Sequence, residues 1–201
     1  KTPYDPQKDL APITLVSSAP SVLAVHPSVN ATSIRELIAL AKAKPGQLNY
    51  ASGPNGGGAH LGMELLKSMA GVNIVRVAYK GGAPALIGLI AGETQMTIDD
   101  PPVLMPNAKI GKLRILGVTS LQPSALYPEL PTLAASGLPG FDATQLSGVF
   151  APARTPESII RRLNQEIVRL LNQPDVKEKL FALSVEPVGS SPEQFAVTIR
   201  S

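Results

Sequence analysis

The sequence contains no cysteine and no tryptophan, and it has only two histidines, His26 and His60. Without cysteine the chain cannot form disulfides, thiolate metal sites or a cysteine nucleophile. Two histidines alone do not make a typical zinc site unless carboxylates complete it. We therefore predict neither a metal nor a cofactor.

Aromatic residues and runs of like charge are also scarce. Aromatics make up 4% of the chain, and the net charge is only +3, with lysines and arginines scattered. A nucleic-acid-binding surface would cluster basic residues and interleave aromatic ones, so we predict no nucleic-acid partner. The scattered positive charge either steers a small anion or forms an ordinary solvated surface.

Long apolar runs are missing too. No stretch approaches the roughly 18–20 residues that cross a membrane, and no signal peptide is visible. We therefore expect a chain that does not span a membrane, with any addressing segment removed. A hydrophobic fraction of 44% and a charged fraction of 16% are typical of a globular protein, and 201 residues suffice for one domain or two.

From residue 48 to residue 119, strand and helix patterns alternate. Such alternation predicts parallel βαβ units with helices covering a sheet. The predicted strands are Leu48–Ala51, Ile74–Val77, Gln95–Ile98 and Leu113–Thr119, and the predicted helices are Ala59–Ala70 and Ala83–Ala91. Earlier in the chain, Ser33-Ile34-Arg35-Glu36 is a capping-box pattern that begins a further helix.

The alternation breaks twice, near Ser17–Val22 and near Gly137–Thr144. Pro20 interrupts the first apolar run, and prolines punctuate residues 121–140. After the second break we predict a strand at 143–150, a helix with Pro156 at its first position, a helix at 176–183 and a helix capped by Ser191. The breaks predict two lobes: 1–18 ends the first lobe, 19–138 forms the second, and 139–201 returns to the first.

A glycine-rich turn at Ser52–Gly58 joins a predicted strand to a predicted helix. Backbone N–H groups and the helix dipole favour an anion at such a place, although the glycines could serve only to permit positive φ. The turn is not a P-loop, because Ala59-His60 replaces Lys-Ser/Thr, and Leu61 replaces the third glycine of a dinucleotide motif. A carboxylate needs only a few N–H donors and a hydroxyl, which this turn supplies.

A second turn, Tyr79–Gly82, repeats the arrangement and should open on the same sheet edge. Lys80 is either a counter-ion or a solvent-exposed residue. Asp99, at the end of the next strand, either accepts from a ligand amine or hydroxyl or caps the following turn. The predicted ligand-binding residues are Ser52, Gly53, Asn55, Gly56, Gly57, His60, Tyr79, Lys80, Gly81, Gly82 and Asp99.

Ser52, His60 and Asp99 are also the residue types of a hydrolase triad. Ser52 does not lie in a G-x-S-x-G elbow, and His60 lies in the first turn of a helix, where packing or bonding to the preceding loop is commoner. We predict no catalytic residue and no enzyme.

Taken in order, the motifs resemble the tripartite tricarboxylate transporter receptors, the Bug or TctC family. The resemblance rests on Tyr4-Asp5-Pro6, Val22-Leu23-Ala24-Val25 with Pro27-Ser28, Ser52…Gly56…His60-Leu61, Tyr79-Lys80-Gly81, Ile98-Asp99, Gly111-Lys112-Leu113-Arg114, Leu130-Pro131-Thr132, Gly137-Leu138-Pro139-Gly140 and Phe150-Ala151-Pro152. It implies a two-lobed α/β fold of the type II periplasmic-binding-protein kind, truncated at both ends, with one lobe complete and the other partial.

The resemblance further implies a monomeric periplasmic protein that closes over a small carboxylate and passes it to the membrane subunits of a transporter. Di- and tricarboxylates, acidic amino acids and aromatic acids all remain open. Gly57 stands where the family often has a hydroxyl residue, so we expect backbone amides of the first turn to anchor the carboxylate, with the Ser52 hydroxyl as a helper. The rival function is an orphan periplasmic sensor or scavenger that serves a signalling partner.

Overall fold

The computed structural model describes residues 5–200, so residues 1–4 and 201 of the predicted first and last segments lie outside the described residues. The chain divides into two compact units. One unit comprises residues 20–145, and the other comprises residues 5–19 and 146–200. The lobe boundaries expected at 18/19 and 138/139 stay a prediction.

The larger unit contains a five-stranded sheet in the order β4-β3-β5-β2-β6. Its strands are β2 (Val22–Val25), β3 (Asn49–Ser52), β4 (Val75–Ala78), β5 (Met96–Asp99) and β6 (Arg114–Val118). The predicted parallel pairing is confirmed for β3 with its neighbours β4 and β5.

Strand β2, which precedes the predicted βαβ units, runs antiparallel between β5 and β6. Val22, its first residue, pairs with Asp99 and Val118, the last residues of those strands. Pro20, the first residue of this unit, lies two positions before Val22, so the chain joins the sheet at its carboxyl edge.

Helices α2 (Ile34–Ala43), α3 (Gly58–Ala70), α4 (Gly82–Ile90) and α5 (Pro101–Lys109) belong to the same unit. The predicted cap of α2 is confirmed: Ser33 Oγ accepts from the Glu36 amide at 3.3 Å. Helix α5 was not among the predicted helices. Pro101 and Pro102 fit its first turn, where no intrahelical N–H bond is required.

Two buried apolar clusters cover the two faces of the sheet. Successive residues of β2 alternate between them: Leu23 and Val25 belong to one cluster, and Val22 and Ala24 belong to the other. This period of two is the geometry of an extended strand buried on both sides. The sheet is therefore a rigid support for the turns at its carboxyl edge.

The smaller unit has a three-stranded sheet in the order β7-β1-β8. Its elements are α1 (Pro6–Asp9), β1 (Leu10–Ala19), β7 (Gln145–Pro152), α6 (Glu157–Leu171), α7 (Pro174–Ala182), β8 (Glu186–Pro187) and α8 (Pro192–Arg200), where Gln145 at the start of β7 is the last residue of the larger unit. Ile13, Ala151 and Ile160 form its buried cluster.

Three details of the smaller unit correct the sequence interpretation. Helix α1 precedes the first strand, where no element was predicted. Pro156 is the N-cap of α6 rather than its first helical residue. The amphipathic pattern of α6 predicts an apolar face that includes Ile160 and Leu163, but only Ile160 of these two is buried, whereas Leu163 is 40% exposed. Within residues 5–200, no helix has both the length and the apolar character needed to cross a membrane.

Candidate functional site

The two predicted turns lie side by side at the carboxyl edge of the larger sheet. Ser52 pairs with Ala78 at the ends of β3 and β4, and the Tyr79 amide donates to the Ser52 carbonyl at 2.9 Å. A Cβ on Gly53 would lie 3.5 Å from the Gly81 carbonyl carbon. The expectation that both turns open on one sheet edge is confirmed.

A cavity of about 160 Å³ opens between these turns. It is lined by Gly53, Pro54, Gly57, Gly58, Ala59, His60, Gly82 and Asp99. The N-terminus of α3 lies on one side of the cavity, and Gly82, the first residue of α4, lies on the other.

Backbone amides are the donors that this cavity offers. The first N–H groups of a helix have no intrahelical acceptor, and here those of Gly58, Ala59 and His60 belong to residues that line the cavity. The N-cap residues of α3 and α4 are Gly57 and Gly81, which have no side chain that could accept hydrogen bonds from these amides. The positive ends of two helix dipoles therefore favour an anion in this space.

Asp99 provides the carboxyl group of the cavity. Burial raises the pKa of this side chain, and so does the neighbouring charge of Asp100, while a hydrogen bond from the Asp100 amide to Oδ1 opposes them. That bond, at 2.8 Å, joins adjacent residues and does not cap α5, whose N-cap is Asp100. Asp99 can accept from a ligand hydroxyl or amine, and when protonated it can donate to a carboxylate.

His60 bonds to the glycine-rich turn that precedes its helix. Its Nδ1 accepts from the Gly56 amide at 3.0 Å, as expected for a histidine in the first turn of a helix. The Ser52 hydroxyl accepts from Arg76 Nε at 2.6 Å. Among the hydrogen bonds of residues 5–200, none joins Ser52, His60 and Asp99 to one another.

Of the predicted ligand-binding residues, five line the cavity: Gly53, Gly57, His60, Gly82 and Asp99. The other six, Ser52, Asn55, Gly56, Tyr79, Lys80 and Gly81, do not line it. Their roles as ligand contacts stay predictions.

Three of these six face other partners or solvent. Ser52 is fully buried, and Lys80 is exposed to solvent. Tyr79 donates from Oη to Glu93 Oε2 at 3.1 Å, and burial followed by the Glu93 carboxylate raises the pKa of its phenol.

Arg76, in the middle of β4, was missed. Its guanidinium donates to Ser52 Oγ at 2.6 Å, to the Gly53 carbonyl at 2.8 Å and to Asn55 Oδ1. A signal was present in the sequence, because Arg76 is the one charged residue of the strand Val75–Ala78. An arginine inside so short a strand needs acceptors close by.

A second cavity, of about 300 Å³, borders α3 and shares Gly58 with the first. Leu61 and Leu65 give it an apolar wall, and Gln145, on its rim, donates from Nε2 to Asp100 Oδ1 at 2.6 Å. Within residues 5–200, no three histidine, aspartate or glutamate side chains are grouped to hold a metal ion.

Comparison with known families identifies the family of the chain. The profile described as "Tripartite tricarboxylate transporter family receptor", TctC, matches residues 1–201. The chain belongs to this family. The resemblance inferred from the motifs is therefore confirmed over the whole chain.

One curated relative is the UPF0065 protein in the tcbD-tcbE intergenic region of Pseudomonas sp. strain P51. It is 39% identical over the full chain, which covers 60% of that protein. Protein BugT of Bordetella pertussis is 35% identical over 96% of the chain, which covers 59% of that protein. The chain thus spans about 60% of the length of these curated relatives.

Solved structures give the same result for the fold. Rpa4515 of R. palustris with adipate has a TM-score of 0.82 and 34% identity over the whole chain, which covers 67% of that structure. MatC of Rhodopseudomonas palustris with bound malate has a TM-score of 0.78 and 28% identity over the whole chain, which covers 69% of that structure. The predicted periplasmic-binding-protein-like α/β fold is confirmed.

Proposed function

We propose that this protein is an extracytoplasmic solute-binding protein that captures a small carboxylate for a tripartite tricarboxylate transporter. Family membership supports this proposal. The observation that carries it is the cavity of about 160 Å³ between the starts of α3 and α4. Backbone amides there supply the donors that a carboxylate requires.

The proposed ligand is a carboxylate rather than a phosphate. No lysine or arginine is among the residues that line the cavity, so nothing beside the amides would neutralise a doubly charged group. Two relatives are described with adipate and with malate, both carboxylates. Asp99 would accept from a hydroxyl or amine on the same ligand, and the apolar cavity that shares Gly58 would take its carbon chain.

For the whole protein we propose a periplasmic location, two lobes and no catalytic step. Residues 19–138 would form one lobe, and 1–18 with 139–201 would contribute to the other. The partners would be membrane subunits of the transporter, which receive the ligand after capture. The protein would act as a monomer and would need neither a metal nor a cofactor.

Calorimetric titration of adipate, malate and the uncharged diamide of adipate tests the proposal, with the protein at the full length that its gene encodes. We expect a carboxylate to bind and the diamide not to bind. Gly82 lines the cavity with nothing closer than 4.0 Å to its Cβ position, so Gly82→Leu should fill the space. Affinity should fall by about tenfold or more.

Ala83→Leu is the matched control, because Ala83 is the next residue of α4, is exposed and does not line the cavity. It should bind like the unaltered protein. Failure of every carboxylate to bind, or equal affinity in Gly82→Leu and Ala83→Leu, would refute the proposed site.

A further inference from the structure

Arg76, on strand β4, forms hydrogen bonds to the glycine-rich turn that follows the neighbouring strand β3. It pairs with Tyr50 in the parallel register of β3 and β4, two residues before β4 ends. Its side chain extends toward the first turn, where Nε, Nη2 and Nη1 donate to Ser52, Gly53 and Asn55 respectively. Each guanidinium nitrogen therefore has a different residue as its acceptor.

The turn has few other restraints. Four of its seven residues, at positions 53, 56, 57 and 58, are glycines, which lose more conformational freedom on folding than any other residue. The second half of the turn is held by the Gly56 amide bond to His60 Nδ1 and by the Gly57 amide bond to the Pro54 carbonyl, at 3.0 and 3.2 Å. In the first half, the Ser52 hydroxyl makes a long bond of 3.4 Å to the Gly53 carbonyl, and Arg76 adds bonds to Ser52, Gly53 and Asn55.

The hydrogen bonds that the Arg76 guanidinium forms in the described part of the chain all go to the glycine-rich turn. Within residues 5–200, no carboxylate oxygen forms a salt bridge with Arg76. The acceptors are a fully buried hydroxyl, a main-chain carbonyl and a side-chain amide oxygen. A planar guanidinium presents donors from three separate nitrogens at fixed angles, whereas the three donors of a lysine ammonium radiate from a single nitrogen and cannot reproduce that spacing.

We propose that Arg76 is the positioning residue of the anion site: it fixes Ser52–Asn55 so that Gly53 and the first amides of α3 face the cavity before ligand arrives. This inference rests on the proposed function. Arg76 does not itself line the cavity, so it acts through the turn. A turn that is already ordered loses less conformational entropy when the ligand binds.

Hydrogen exchange of the ligand-free protein tests the inference without any assumption about the ligand. In Arg76→Gln and Arg76→Lys, the hydrogen-bonded amides within residues 52–60, such as those of Gly56 and Gly57, should exchange about tenfold faster or more, because the turn opens more often. Arg114→Gln is the matched control. Arg114 lies in the same unit and donates from Nη1 to the Val29 and Ala31 carbonyls, at 3.3 and 2.9 Å, so it holds a different loop. Its loss should leave exchange at 52–60 unchanged.

Titration with adipate and malate then measures the consequence for binding. For whichever of the two binds the unaltered protein, both Arg76 variants should weaken affinity about tenfold, and Arg114→Gln should change it less than about twofold. A general loss of stability would weaken binding in Arg114→Gln as well. Asn55→Ala, at an exposed position, removes one acceptor of Arg76 and should give a smaller loss of about threefold.

The outcomes separate the two proposals. Unchanged exchange at 52–60 in Arg76→Gln, or full retention of slow exchange and affinity in Arg76→Lys, would overturn the positioning role. If the Arg76 variants do not fold, unchanged exchange and affinity in Asn55→Ala would overturn it instead. If neither acid binds the unaltered protein, the proposed function fails, while the exchange rates still decide the role of Arg76 in the turn.

Discussion

The side chain of Tyr79 packs directly on Gly88, and a Cβ at position 88 would collide with the Tyr79 ring and hydroxyl. The hydroxyl goes on to donate to Glu93 Oε2 at 3.1 Å. Glycine in the middle of α4 is thus required by the tyrosine that precedes the helix. The contact also explains why Tyr79, a predicted ligand residue, does not line the cavity.

Gly88→Ala should therefore destabilise the protein. Overpacking at a filled contact costs about 1–3 kcal/mol, and urea denaturation would measure the change in unfolding free energy. In a Tyr79→Ala background the collision is absent, and the same change should be neutral or stabilise by up to about 1 kcal/mol, because alanine is the better helix former. An equal effect in both backgrounds would mean that the contact does not determine the need for glycine.

A side chain introduced at Gly56 would strain the backbone of the first turn without colliding with neighbouring atoms. Its φ is +78°, and no described atom lies within 4 Å of its Cβ position. Gly56→Val should cost about 1–2 kcal/mol of unfolding free energy, because a β-branched residue is strained at positive φ. Gly56→Asn should cost less, since asparagine visits this region more readily. Denaturant titration of both variants measures the loss of unfolding free energy, and equal losses in the two variants would argue against backbone strain.

Titration of the same Gly56 variants with the bound carboxylate provides a second test. The valine variant should bind more weakly than the asparagine variant, since the strained turn would displace the neighbouring amide donors. Equal affinity in the two variants would place the anion away from this turn.

Asp99 should make stability depend on pH. Burial raises its pKa above the ordinary value of 3.8, so protonation favours the folded state. The stabilising contribution is fully present below that ordinary value and is lost as pH rises through the raised folded-state pKa. Asp99→Asn should thus increase the unfolding free energy at about pH 7, and this gain should shrink toward about pH 3.

The asparagine keeps an oxygen acceptor for the Asp100 amide, so the variant changes the charge and not the local bond. Thermal unfolding at both pH values measures the difference. A gain of the same size at low and neutral pH would show that ionisation of Asp99 is not its source.

Asn164 joins two parts of the smaller unit. Its Nδ2 donates to the Ile13 carbonyl at 2.9 Å and to the Ser190 carbonyl at 2.8 Å. Asn164→Leu should lower the unfolding free energy by about 1–3 kcal/mol, because two partly buried carbonyls lose a donor. Asn172→Leu is the control, since exposed Asn172 donates only within its own helix terminus and should change stability by less than about 0.5 kcal/mol. Similar losses in the two variants would contradict this account.

Much of the local structure could be predicted from the sequence. Ser191 and Gln194 form the predicted reciprocal cap at the start of α8, with bonds of 2.9 and 3.2 Å. The glycine-rich turn lies between a strand and a helix, as its neighbouring patterns indicated. Such features depend on residues within a few positions of one another, so composition and spacing specify them.

Other features depended on contacts between distant parts of the chain. Arg76 bonds to Ser52, 24 positions away, and this pairing exists only because β3 and β4 lie side by side in a particular register. The antiparallel direction of β2 likewise exists only in its pairing with β5 and β6, which lie more than 70 positions further along the chain.

The candidate site combines both kinds of information. By itself, the sequence determined that Gly53, Gly57, His60, Gly82 and Asp99 lie where strands end or the following helices begin, because the glycine and capping patterns are local. Only the tertiary structure decided that Tyr79 packs on Gly88 and that Ser52 bonds to Arg76. Side-chain direction is set by the space and the acceptors that neighbouring elements leave, and these elements meet only after the chain has folded.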